Sequence, residues 1–115
     1  MRKWHSERRG INMAYKLNVT KHAKQLLDNL VYHLIYRLKN KNAAEHLLDS
    51  VENVYNRLED NPFQFPKSRD RYLAKKEYRE AIVQNMNYII VFRVKNDVVN
   101  IVGIFHQLEN YQQKL

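Results

Sequence analysis

A stripe of apolar residues at helical spacing limits what the first third of this chain can fold into. Its members recur every three or four positions after Thr20, namely Ala23, Leu26, Leu27, Leu30, Val31, Leu34, Ile35 and Leu38. This spacing predicts an amphipathic helix of about four turns whose apolar side belongs to a core. Thr20 is placed to cap the start of the helix, and the polar "NKN" at 40–42 ends it.

A second helical stripe follows almost at once. It comprises Ala44, Leu47, Leu48, Val51, Val54, Tyr55 and Leu58. Asn42 stands three residues before Glu45, which is the spacing of a capping box, so the second helix is predicted to start there. Two amphipathic helices joined by so short a link form an antiparallel hairpin. Pro62 ends the second helix, and Phe63 and Phe65 are predicted to hold the following surface connection to the core.

Strand patterns flank the helical region on both sides. "YKLNV" at 15–19 alternates apolar and polar residues, and three more strands are predicted at 78–83, 88–94 and 98–105. In the strand at 88–94, Tyr88, Ile90, Phe92 and Val94 share the face that packs on the helices. The strand at 98–105 is apolar on both faces apart from Asn100, as a central strand is, and Gly103 within it predicts a bulge or a close backbone approach.

These elements predict an α+β fold. It consists of an N-terminal strand, an antiparallel two-helix hairpin, and three antiparallel strands that form a small curved sheet packed on the helices. The length of 115 residues suits one domain, which we assign to residues 13–115. Residues 1–12 have no helix or strand pattern and are predicted to be a disordered basic extension.

The absence of certain residue types excludes several classes of protein. With no cysteine, the chain forms neither a disulfide framework nor a thiolate zinc site, and its five histidines fit no zinc motif. No apolar run approaches the roughly 20 residues of a membrane helix. We therefore expect a cytoplasmic protein with no metal, no cofactor and no membrane contact.

The net charge of +8 is concentrated in two segments. Residues 1–12 carry four basic residues against one acidic residue, and residues 67–79 carry six against two. The six basic residues of the second segment are Lys67, Arg69, Arg71, Lys75, Lys76 and Arg79. Clusters of this kind attract a phosphate backbone or an acidic protein partner, so all six are candidate residues for binding the target or a phosphate.

Four stretches of sequence, taken in order, resemble the RelE/ParE superfamily of bacterial type II toxins, the plasmid-stabilisation type. They are "AAEHLLDSVENVYNRLEDNP", "KEYREAI", "NYIIVFRV" and "VVNIVGIFHQLEN". The resemblance implies a toxin that is neutralised by a cognate antitoxin, and it implies that any DNA contact is indirect, through the antitoxin. ParE-like members inhibit DNA gyrase, whereas RelE-like members are ribosome-dependent mRNA endoribonucleases that use no metal.

Two departures from the RelE-like pattern favour the ParE-like function. Ile89 stands where RelE-like toxins usually place an arginine, and only Lys114 is basic after the last strand. The long, nearly symmetrical hairpin also resembles ParE. A basic nucleic-acid-binding domain without toxicity is a further alternative, so the sequence leaves open whether the chain is an enzyme.

The nuclease alternative would need a base, cationic donors and an acid. By resemblance, Arg79 would hold a phosphate, His106 would be the acid, and Tyr111 would stack on a base. Each also has a structural interpretation: Arg79 could pair with Glu77 or Glu80, His106 could cap a strand end, and Tyr111 could pack. For either class of toxin we expect Arg79 and His106 to be neighbours on the side of the sheet that the helices leave uncovered.

Overall fold

The computed structural model describes residues 14–115. The predicted extension, residues 1–12, and Met13 at the start of the assigned domain lie outside the described residues. The strands are β1 (Lys16–Val19), β2 (Arg79–Val83), β3 (Tyr88–Lys95) and β4 (Val98–His106). The α-helices are α1 (Lys21–Tyr32), α2 (Lys41–Asp60) and the short α3 (Arg71–Lys75). A π-helical segment (His33–Arg37) and two 3-10 turns (Pro62–Gln64 and Tyr111–Lys114) complete the elements.

The four strands form one sheet in the order β1-β4-β3-β2. β1 runs parallel to β4, whereas β3 is antiparallel to both β4 and β2. β4 is therefore a central strand, as its apolar character on both faces predicts. The predicted α+β fold, with its N-terminal strand, helical hairpin and three antiparallel strands, is confirmed.

The hairpin begins as the sequence predicts, but its second helix starts two residues earlier than predicted. Thr20 caps α1, because its hydroxyl accepts a hydrogen bond from the Ala23 N–H at 3.1 Å. The prediction that Asn42 starts the second helix is wrong: Asn40 is the cap and accepts from the Ala43 N–H at 3.0 Å. Lys39 has a φ of 53°, a left-handed conformation that reverses the chain immediately before this cap. The local turn therefore decides which asparagine caps α2.

The main core lies between the hairpin and one face of the sheet. Leu47 and Leu58 of α2 pack there with Phe92 of β3 and Ile101 of β4. The predicted helix-facing residues of β3, Tyr88, Ile90, Phe92 and Val94, all belong to this cluster. These contacts confirm the alternation predicted for β3.

The connection after α2 is held to this core mainly by one of its two phenylalanines. Phe65 is buried and meets Phe92 edge to face, with ring centroids 6.0 Å apart. Phe63 remains 50% exposed, meets the Tyr15 ring edge to face and lies beside the Arg79 guanidinium. The prediction that both rings anchor the connection in the core therefore holds for Phe65 alone.

The opposite face of the sheet is also covered, which corrects the expectation of an uncovered side. A second apolar cluster joins Leu73 of α3 to Ile89 and Val91 of β3, Phe105 of β4 and Tyr111 of the C-terminal turn. The short helix and the C-terminal turn were not predicted as a layer, because neither carries an apolar stripe long enough to show a period.

Gly103 has both features that the sequence predicts. Val91 pairs with Gly103 and Phe92 with Ile101, so Val102 is the extra residue of a β-bulge. A Cβ at Gly103 would lie 2.5 Å from two carbons of the Phe105 ring and 3.3 Å from Leu26 Cδ1. The bulge and the close approach therefore occur at the same place.

We expect Gly103→Ala to lower the free energy of unfolding by about 1–3 kcal/mol, because the Phe105 ring that the new methyl group meets is stacked on Tyr111 and has little room to move. Urea denaturation of the variant measures this loss. Adding Phe105→Leu should make the two losses less than additive, since the shortened side chain relieves the clash. Strict additivity would show that the ring is not the obstacle.

Candidate functional site

Arg79, the predicted phosphate ligand, holds the connection after α2. Its Nη1 donates to the Phe65 carbonyl oxygen at 2.6 Å, and its guanidinium lies 4.9 Å from the centroid of the Phe63 ring. The side chain is half-buried, and its pairing with Phe92 places it on the helix-facing side of the sheet. Arg79 therefore fixes the local backbone rather than pointing freely into solvent.

His106, the predicted acid, closes the turn at the end of β4. Its Nδ1 accepts a hydrogen bond from the Leu108 N–H at 3.1 Å, and its own backbone N–H donates to Glu109 Oε1 at 3.1 Å. The ring meets Tyr88 edge to face, with centroids 5.9 Å apart. An Nδ1 that accepts from an amide leaves the ring proton on Nε2.

Glu109 completes this turn and is itself held by Lys114. Partial burial acts to raise the pKa of Glu109, but hydrogen bonds from Lys114 and from the His106 backbone outweigh it and leave the pKa below its ordinary value. The carboxylate therefore stays ionised while it accepts from the His106 N–H.

The predicted adjacency of Arg79 and His106 is wrong. Arg79 pairs with Phe92 and His106 pairs with Tyr88, four positions away along β3. At roughly 3.3 Å per residue, the two Cα positions lie about 13 Å apart along the strand direction. Both side chains are on the helix-facing side, at opposite ends, so they do not form one site.

Tyr111 is part of a buried polar network on the other face. Its ring stacks on Phe105 at 5.2 Å, and its hydroxyl lies 2.7 Å from Ser68 Oγ and also donates to the Glu80 carboxylate. Glu80, only 5% exposed, further accepts from Ser68 Oγ at 3.0 Å and from Arg69 Nε at 3.2 Å. The Tyr111 side chain is 5% exposed, with its ring stacked on Phe105 and its hydroxyl hydrogen-bonded. It therefore presents no face to a nucleobase.

The structure separates the six basic candidates into two groups. Lys67 and Arg69 form ion pairs with Glu77 and Glu80, at 3.3 Å and 3.2 Å. Arg79 is held as described above. Arg71, Lys75 and Lys76 are exposed on α3 and its end, and none of the three has an acidic partner within 4 Å among residues 14–115.

Arg93, which the sequence analysis did not select, joins the exposed group. Its Nε donates to the Lys76 carbonyl oxygen at 3.0 Å, and its guanidinium lies 4.6 Å from the centroid of the Tyr78 ring. Lys76 in turn lies over Tyr72 at 4.7 Å. We name the exposed set of Arg71, Tyr72, Lys75, Lys76 and Arg93 the basic surface. The strand alternation that places Arg93 on the face opposite Phe92 was the signal that could have found it.

A cleft of about 470 Å³ opens beside the outer edge of β2. Its walls include Phe65, Ile82, Ile89, Arg57 and Arg69. None of Arg79, His106 and Tyr111 lines it. The cleft therefore combines apolar and charged side chains, Glu80 among them, and lacks the three residues that the nuclease alternative requires.

A second groove, of about 460 Å³, runs between the two long helices. Leu27 of α1 forms one wall, and Leu48, Val51 and Tyr55 of α2 form the other together with acidic residues. Burial raises the pKa of Tyr55 to about 12, so its hydroxyl stays protonated at neutral pH.

Over the described residues, no group of three or more His, Cys, Asp or Glu side chains is arranged to hold a metal ion. Within 14–115, no helix is both long enough and apolar enough to cross a membrane.

Comparisons with known proteins identify the fold and the family. Residues 17–111 match the family model of the ParE toxin of the type II toxin-antitoxin system parDE. The chain is similar to a chain of the chromosomal ParDE system from P. aeruginosa, with a TM-score of 0.65 and 19% identity over 82% of this chain and 97% of that one. It is also similar to a chain of the RelBE2 toxin-antitoxin complex from Mycobacterium tuberculosis, with a TM-score of 0.54 and 19% identity over 84% and 95%. No protein of curated function matches the sequence significantly.

Proposed function

The chain belongs to the ParE toxin family of type II toxin-antitoxin systems, within the RelE/ParE superfamily, and we propose that it arrests growth by inhibiting DNA gyrase. The match of residues 17–111 to the ParE model carries this proposal. The geometry supports it further. A nuclease needs its acid, base and cationic donors in one place. Here Arg79 and His106 pair with opposite ends of β3, and Tyr111 is buried.

The basic surface supplies the contact with the target in this proposal. Arg71 and Lys75 lie four residues apart on α3 and so share one side of the helix. The cations of Arg93 and Lys76 lie over the rings of Tyr78 and Tyr72, and these contacts restrict their positions. A pre-positioned set of cations fits an acidic protein surface or the DNA that gyrase holds.

We expect the purified chain to block supercoiling of relaxed plasmid by gyrase. Reversing three charges of the basic surface, Arg71→Glu, Lys75→Glu and Arg93→Glu, should weaken inhibition at least tenfold, about 1.4 kcal/mol. The matched control reverses three exposed cations of the hairpin, Lys21→Glu, Lys24→Glu and Arg37→Glu, and should retain inhibition.

Other outcomes distinguish the alternatives. Unaffected supercoiling together with ribosome-dependent mRNA cleavage would replace gyrase by the RelE-like endoribonuclease, and loss of that cleavage in His106→Ala would restore His106 as the acid. Unaffected growth together with DNA binding would favour the non-toxic nucleic-acid-binding domain. Equal loss of gyrase inhibition in the control would show that net charge, not the basic surface, matters.

We also propose a cognate antitoxin as partner, with any DNA contact made through it. The proteins of both structural comparisons come from toxin-antitoxin systems. A flexible acidic and apolar segment complements the cleft beside β2, where Ile82 is 60% exposed and Arg57 supplies positive charge while Arg69 is paired with Glu80.

Growth arrest should be relieved when a short adjacent acidic reading frame is expressed with the chain. Ile82→Asp should weaken capture of that product, because the charge would face an apolar and acidic segment. Persistent arrest with every adjacent reading frame would contradict the pairing.

A further inference from the structure

The acidic residues of α2 all lie on one side of the helix. At 100° per residue, Glu45, Asp49, Glu52, Glu59 and Asp60 fall within an arc of about 100°. His46 and Arg57 lie beside this arc, and the opposite side carries the buried Leu47, Val54 and Leu58. With Lys41 and Arg57 as its basic residues against these five acids, α2 has a formal charge of −3 in a protein whose total is +8.

This acidic side lies next to the apolar groove between α1 and α2. Leu27, Leu48, Val51 and Tyr55 line the groove, and Glu45, Asp49 and Glu52 stand on its wall. Leu48 is 45% exposed there. An apolar floor beside a row of carboxylates is complementary to a peptide that combines basic and apolar side chains.

The chain enters the described structure next to this groove. The Tyr15 N–H donates to the Glu59 carbonyl oxygen at 3.2 Å, so the described chain begins beside the C-terminal end of α2. From Glu59 back to Glu45 the helix is about 21 Å long, and thirteen residues can span up to about 43 Å. The segment can therefore reach the whole acidic side.

The composition of that segment matches the groove. Residues 1–12 include Arg2, Lys3, Arg8 and Arg9 against Glu7, a formal charge of +3. Trp4 and Ile11 are large apolar side chains within the same stretch. The segment and α2 are thus opposite in charge, and both carry apolar side chains.

We propose that residues 1–12 bind in the groove between α1 and α2 of their own chain, with Trp4 on the apolar floor and Arg8 and Arg9 against Asp49 and Glu52. This inference is independent of the gyrase proposal, because it rests on the hairpin and not on the basic surface. It assigns to residues 1–12 the role of binding to the domain formed by residues 13–115.

Trp4 is the only tryptophan of the chain and reports directly on the proposed contact. In the full chain we expect its fluorescence to lie at shorter wavelength, and to be quenched less by acrylamide, than in a free peptide of residues 1–13. Equal quenching in chain and peptide would overturn the proposal. Protection that depends on protein concentration would also overturn it, because it would indicate a second copy as the occupant.

A charge exchange tests the specific pairing. Asp49→Lys with Glu52→Lys should raise the quenching of Trp4 to the value of the free peptide, and adding Arg8→Glu with Arg9→Glu should restore the protection. The control, Glu77→Lys with Asp97→Lys, makes the same change of charge away from the groove and should leave Trp4 protected. Failure of the four-residue variant to restore protection, or an equal effect of the control, would contradict the proposal.

Discussion

Glu80→Ala should lower the free energy of unfolding by about 3 kcal/mol, because it removes the acceptor that buried donors share. The carboxylate accepts hydrogen bonds from the hydroxyls of Ser68 and Tyr111, both of which are buried, and from the backbone and side chain of Arg69. For a domain of this size the midpoint of thermal unfolding should fall by roughly 12 °C or more. Thermal melts followed by circular dichroism measure the loss.

Tyr111→Phe is the matched control for this prediction. It removes one donor but keeps the ring stacked on Phe105, and Glu80 retains its bonds to Ser68 and Arg69. The expected loss is about 1 kcal/mol, the usual net value of one hydrogen bond. If Glu80→Ala costs no more than Tyr111→Phe, the network is not held together by the carboxylate.

The same network positions the segment that leads into the basic surface. Ser68 Oγ accepts from the Asp70 N–H at 3.1 Å, and Asp70 caps α3 by accepting from the Leu73 N–H at 3.0 Å. Arg69 also donates to the Gln107 carbonyl oxygen at 2.9 Å and so ties the loop to the C-terminal segment. Glu80→Ala should therefore speed amide hydrogen exchange in both α3 and residues 107–115.

The sequence predicted the parts of the fold that carry a period. The hairpin, the strand order along the chain and the helix-facing residues of β3 follow from repeats of 3.6 and 2 residues that burial enforces. The cap of α2 did not follow, because two asparagines two positions apart both satisfy the pattern and the conformation of Lys39 decides between them.

The candidate site was less predictable because its residues meet through tertiary contacts. Nothing adjacent to Glu80 indicates that Ser68 and Tyr111 converge on it from two loops. Arg79 and His106 were placed together by resemblance, whereas the strand register separates them. The register depends on the bulge at Val102 and on the turns, which a pattern of apolar residues does not specify.

Phe92→Ala should cost about 3–5 kcal/mol, the largest loss that we expect from one truncation in this core. Phe92 is fully buried in the centre of the sheet, paired with Arg79 on one side and with Ile101 on the other. It also supports the Phe65 ring, and the backbone carbonyl oxygen of Phe65 accepts a hydrogen bond from Arg79. Removing the ring should therefore loosen the connection after α2 as well as the hairpin.

Urea denaturation tests this prediction, with a lower midpoint at an unchanged slope as the expected result. Ile82→Ala is the control on the same sheet and should change stability by less than about 1 kcal/mol, since Ile82 is 60% exposed at the edge. The Phe65→Ala and Phe92→Ala losses should be less than additive, because each ring is the other's neighbour. A loss at Phe92 no larger than that at Ile82 would mean that the layer between the hairpin and the sheet does not hold this fold together.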